Sequence, residues 1–140
     1  MNHFRFNLSL RLFHPSMSPS LISSELGMVP FRAWKVGEQR VTQRGDLLEG
    51  TYDSTYWCSP ELTGGGAGLT ELLEAQLAEL ETRKAFLAEF CSTGGRIEYF
   101  VGWFTDKKNT GEVFDWRLLS RLAALQISLS MDIYGGNSPI

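Results

Sequence analysis

The 140-residue sequence contains only two histidines and two cysteines, and that scarcity excludes much of the chemistry that needs them. Cys58 and Cys91 stand outside any C-x-x-C pair, so neither belongs to a recognisable zinc site. His3 and His14 flank one extended stretch that would hold them roughly 35 Å apart, too far to share a metal or an active site. His14, just before Pro15, is expected in a turn. No G-x-S-x-G elbow occurs, and neither cysteine has a recognisable histidine partner to activate it. The glycine run GGGAG at 64–68 lacks the lysine of a phosphate-binding loop and the G-x-G-x-x-G spacing, so it is expected to be a flexible connector. No metal, cofactor or disulfide is expected, and two free thiols suit a reducing compartment. An enzyme is not the expectation.

Charge of one sign is equally scarce. Thirteen Lys and Arg face sixteen Asp and Glu, for a net charge of −3. Without a cluster of basic residues, nucleic-acid binding is not expected. No run of eighteen apolar residues exists, so no membrane span is expected. The N-terminal stretch alternates apolar and polar residues, which marks a strand and not a signal peptide. The cytoplasm follows as the default location.

What is present is periodicity. From Leu69 to about Cys91 the pattern is helical: Leu69, Leu72, Leu73, Leu77 and Leu80 share a stripe that Leu87, Phe90 and Cys91 resume. Arg83 and Lys84 interrupt it, with their stems expected to cover the core edge. Gly94-Gly95 is the expected stop. Phe4, Phe6, Leu8, Leu10 and Leu12 alternate with polar residues, predicting a half-buried first strand. Ser18-Pro19 predicts a helix start, and Gly27 its end. Pro30 to about Gln39 is expected as a second strand, with Gly37 at a bend, and Thr42–Gly50 as a loop. Thr51–Ser59 is expected as a third strand.

Arg96–Phe104 is the fourth strand, apolar on both faces, which suggests a central strand or a groove wall. Asp115 is expected to cap a third helix whose Trp116, Leu119, Leu122 and Ala123 share a face. Ile127–Ile133 alternate as the last strand, and Gly135–Ile140 form a flexible tail. This order predicts one α+β domain over 1–140, with its core at about 4–134. About five mostly antiparallel strands carry one long and two short helices on one face. A strand-then-short-helix unit occurs at 2–27 and again at 96–125, so a duplicated ferredoxin-like arrangement is one form this domain could take.

A strand, then SPSLISSELGMVP at 18–30, Trp34, Gly37, Trp57, the Leu-rich helix and a closing LAALQISLSMDIY at 122–134 together resemble the bacterial family known as domain of unknown function 4279. The resemblance spans about Phe4 to Tyr134. It supplies no catalytic residues. Members resemble, in size and genomic style, small immunity proteins that neutralise bacterial toxins, which implies a protein partner.

Two candidate surfaces follow. Glu71, Glu74, Glu79 and Glu81 on the long helix, with Trp34 as an anchor near the Gly37 bend, would serve a non-catalytic immunity-type protein that binds a toxin. Trp57, Trp103 and Tyr99 would line an aromatic groove on the sheet in a small-ligand-binding domain. An enzyme of unknown class ranks third.

Overall fold

The computed structural model describes residues 4–106 and 109–135. The chain runs β1 (Arg5–His14), α1 (Pro19–Leu26), β2 (Arg32–Trp34), β3 (Gln39–Val41), β4 (Leu47–Thr51), β5 (Thr55–Cys58), α2 (Leu69–Glu81), α3 (Lys84–Ser92), β6 (Arg96–Thr105), α4 (Trp116–Ala124) and β7 (Ile127–Gly135). Five strands form one sheet in the order β2-β5-β1-β6-β7, and β3 and β4 form a separate two-stranded ribbon. All neighbours in the large sheet are antiparallel except β6 and β7, which are parallel and joined through α4. The domain is therefore α+β with a mostly antiparallel sheet, as the pattern predicts. The parallel pair departs from a ferredoxin-like duplication.

The alternation in β1 decides which face is dry. Leu8, Leu10 and Leu12 are buried and stand opposite Val101, Tyr99 and Ile97 of β6. The four helices close over this face. Ile22 and Leu26 of α1, the five early leucines of α2, Leu87 and Phe90 of α3, and Leu118 and Leu122 of α4 join the strand residues in one core. Burying a Leu side chain contributes roughly 1.5–3 kcal/mol, so the α2 stripe is a principal source of stability. Trp57 ties the layers together, donating from Nε1 to Ser23 Oγ of α1 at 2.9 Å.

The short helix α1 starts and stops as expected: Ser18 Oγ accepts from the Ser20 N–H, and Gly27 takes a left-handed conformation at φ 65°. The long helix does not stay whole. It breaks at Thr82-Arg83 into α2 and α3. Thr82 turns its hydroxyl onto the Glu79 carbonyl at 2.6 Å, and Arg83 leaves helical geometry at φ −113°, ψ 20°. Leu80 and Leu87 are two turns apart, so the stripe keeps its phase across the break and periodicity alone does not reveal it. Arg83 and Lys84 mark the break itself. Beyond α3, Gly95 packs so close to Phe90 that a Cβ there would lie 2.3 Å from its ring and 2.5 Å from its carbonyl oxygen.

The middle of the chain departs furthest from the pattern. The expected second strand shortens to β2, and Gly37 turns the chain at φ 86° into the β3–β4 hairpin. That hairpin contains the segment expected as a loop. The expected third strand divides, with Thr51 ending β4 and β5 covering Thr55–Cys58. In α4 the buried side is Leu118 and Leu122, while Trp116 is 68% and Leu119 46% exposed. The expected tail beyond Gly135 and the position of His3 lie outside the described residues.

Candidate interaction face

Among the described residues every helix packs on one side, and the other face of the sheet carries none of them. Register fixes its rows. Ser128, Glu98, Arg11, Cys58 and Arg32 lie side by side across β7, β6, β1, β5 and β2, and Arg96, Phe13, Tyr56 and Trp34 form the adjacent row. Further along, Ser130, Phe100 and Ser9 are neighbours, as are Tyr134, Phe104 and Arg5. The sequence pattern does not announce this array. It arises because the polar alternation of β1 meets the second apolar face of β6.

Four guanidinium groups rest on aromatic rings here. Arg11 lies 3.7 Å from the centroid of Phe100, Arg96 4.0 Å from Phe13, Arg32 5.0 Å from Trp34 and Arg5 5.5 Å from Phe104. Such stacking holds each planar cation while leaving N–H groups at its edges for a ligand. Glu98 sits between two of them, 3.7 Å from Arg11 and 3.2 Å from Arg96. Its carboxylate is mostly buried, whereas the Arg96 side chain is 61% exposed. Asp132 is the other acid on these strands' outer face and accepts from the Tyr134 hydroxyl. The cations thus outnumber the acids locally, although the whole chain is acidic.

The rings extend the surface toward the β2 edge. Trp34 stacks on Tyr52 with centroids 4.1 Å apart and an 8° tilt, and lies 4.6 Å from Tyr56. Its Nε1 donates to the Ser54 carbonyl. Arg32 also donates to the Val41 carbonyl, which ties the β3–β4 hairpin to this end of the sheet. Burial pushes the Tyr56 phenol up to about 12, the neighbouring Cys58 thiol adds to the rise, and Arg11 and Arg32 partly oppose it. Tyr56 is therefore a neutral hydrogen-bonding group at neutral pH.

The residues proposed from sequence are not gathered into one place. Trp57, Trp103 and Tyr99 are 0%, 6% and 0% exposed and belong to the core beneath the helices, so they do not form an open groove. Phe4 stacks on Trp103 at 3.9 Å, and the buried Tyr99 hydroxyl has no hydrogen-bond partner among the described residues. Among the glutamates, Glu81 accepts two bonds from Arg121 of α4, at 2.9 and 3.0 Å. Glu71 turns back to the Gly68 N–H. Glu74 and Glu79 remain exposed. Trp34 is the one sequence candidate that lies on the outer face.

The glycine run forms one wall of an open hollow of about 510 Å³ together with Phe4, Phe6 and Glu61. The Glu71 carboxylate already accepts from the Gly68 N–H at the N-cap of α2, where a phosphate would otherwise be received. His14 has a structural task. Its Nδ1 accepts from the Ser16 and Met17 N–H groups, and its Nε2 lies 2.8 Å from Thr93 Oγ1.

The family model described as "Domain of unknown function (DUF4279)" matches residues 4–136. No curated protein and no solved structure matches the chain.

Proposed function

The chain belongs to the domain of unknown function 4279 family, and we propose that it is a non-catalytic binding protein that uses the outer sheet face to hold an acidic surface of another protein. The observation behind this reading is the set of four arginines stacked on rings on the face that none of the described helices covers. Arginine, tyrosine and tryptophan are the residues that most often dominate protein interfaces. A guanidinium already seated on a ring loses little freedom when a carboxylate arrives, so more of the contact energy is available for binding. The partner class that fits the family resemblance is a toxin neutralised by surface complementarity. Trp34 keeps the anchoring role expected of it, now beside Arg32 instead of beside the α2 glutamates.

The test is rescue from toxicity. Products of the reading frames flanking this gene are expressed in a bacterial host with and without the chain. One product should arrest growth alone, and coexpression should restore it. Arg5→Ser with Arg96→Ser should abolish rescue while thermal stability stays close to the parent's. A labelled single-stranded oligonucleotide is titrated in parallel, because rings and arginines also stack bases. Tight oligonucleotide binding, or rescue unaffected by the double substitution, overturns the proposal.

A further inference from the structure

A second surface lies at the opposite edge of the sheet. β7 is nine residues long, pairs with β6 without a register shift from Ile127 to Gly135, and has no strand on its outer side among the described residues. An edge strand of this kind exposes a row of unpaired N–H and C=O groups, and proteins usually blunt it with proline, lysine or a bulge. In β7 none of these occurs, and Asp132 is the one charge. The edge β2, by contrast, is three residues long and is tied to the β3–β4 hairpin.

The helix above this edge adds an independent observation. α4 packs on β7, and its inner flank is marked by Arg121, which pairs with Glu81 of α2. At 100° per residue the opposite flank carries Leu119, Ala123 and Trp116. Leu119 and Trp116 are exposed, as are Ile133 at 65% and Tyr134 at 53% on β7 itself. A strand edge with no partner among the described residues and an apolar helix flank therefore lie on the same side of the domain.

We propose that this side is a homodimer interface, in which β7 pairs antiparallel with β7 of a second copy and the two α4 flanks meet above the pair. The sequence of β7 is complementary to itself. Antiparallel pairing centred on Ser130 sets Ile127 opposite Ile133, Leu129 opposite Met131 and Ser128 opposite Asp132. Apolar meets apolar on the core face, and the two Asp132 carboxylates are not set against each other. This contact uses the same patch twice, as a closed two-fold interface requires. The strand is about 30 Å long. With the helix layer above it the strip covers on the order of 600 Å², approaching the roughly 800 Å² per partner of a standard interface. The paired sheets would run continuously through ten strands, leaving the basic outer faces open. This inference does not depend on the function proposed above.

Sedimentation equilibrium on the full chain across a wide concentration range tests it. A monomer–dimer equilibrium is expected. Leu119→Glu and Ile133→Lys change exposed side chains, so each should stay folded by circular dichroism while weakening dimerisation about a hundredfold, because each buries an unpaired charge. Amide exchange gives a readout without mutation: β7 amides should exchange more slowly at high protein concentration than at low. Ser130→Cys should form an intermolecular disulfide on mild oxidation, because directly opposed residues meet disulfide geometry. A monomer at all concentrations overturns the proposal. So does a dimer indifferent to both charge substitutions, or β7 exchange that does not vary with concentration.

Discussion

Replacing His14 by phenylalanine isolates one buried polar centre. The imidazole is 3% exposed and packs 4.9 Å from the Phe90 ring, so a phenyl ring preserves most of the volume. It removes all three polar contacts. The Ser16 and Met17 N–H groups lose the Nδ1 that accepts them at 3.0 and 2.9 Å, and Thr93 loses its link to the end of β1. At about 0.5–1.5 kcal/mol for each net hydrogen bond, with an added penalty for stranded donors, the expected cost is about 2–4 kcal/mol. The parent should also show a pH signature. Because Nδ1 accepts two N–H groups, the neutral ring donates from Nε2 to Thr93, and protonation at Nδ1 would break both accepted bonds. Desolvation holds the pKa of His14 below the ordinary 6.5. As pH falls below about 6.5 the unfolded chain takes up this proton before the folded chain does, so stability declines by up to about 1.4 kcal/mol per pH unit. The decline continues until pH reaches the folded-state pKa. Urea unfolding from about pH 8 to about pH 5.5 measures both effects, with His14→Phe expected to be less stable at pH 8 and flatter with pH. Equal stability at pH 8, or the same decline in both proteins, refutes the role assigned to this ring.

Leu73→Ala and Leu77→Ala, both at fully buried positions, should each cost roughly 2–5 kcal/mol in denaturant unfolding; losses below about 0.5 kcal/mol at both would mean that α2 does not seal the core. Gly95→Ala should cost more than Gly65→Ala and Gly66→Ala combined, because its Cβ meets Phe90 while theirs meet open space. Gly65 and Gly66 still have φ of 62° and 94°, so each alanine there should cost about 1–2 kcal/mol by thermal or urea unfolding, and they are not the neutral changes a plain connector would allow. Thiol titration should find Cys58 and Cys91, both free, reacting fully in denaturant, with Cys91 slow in the native protein because burial raises its pKa.

Where residues carry a local physical signal, the sequence predicts the structure closely. The alternation of β1, the Ser18-Pro19 start and Gly27 stop of α1, and the Asp115 cap of α4 all occur where expected. The β3–β4 hairpin is almost wholly exposed, so no apolar period marks it. In α4 the choice of buried side depends on what packs against it: Leu118 and Leu122 are four apart, as are Leu119 and Ala123, and sequence does not rank the two stripes. The outer-face array was the least legible. Arg11 and Phe100 are far apart in the chain, and only the antiparallel register of β1 and β6 brings that cation over that ring. Trp57 and Trp103 show the reverse: large rings attractive as binding residues that the fold uses as filling.

The place of β1 at the centre of the sheet has a consequence for how the protein is made. Its neighbours are β5 and β6, and in the second pairing Leu8 meets Val101. A chain leaving the ribosome N-terminus first exposes the β1 leucines long before that partner strand exists. At about 5–20 residues per second the interval is on the order of ten seconds. Through that time β1 is an alternating apolar ribbon with one flank unmatched, open to chaperones or to misplaced strands. The pairing of β6 with β7, by contrast, can form soon after both strands emerge. The β1–β5 pair, made earlier, must therefore keep its second edge free until β6 arrives to close the sheet.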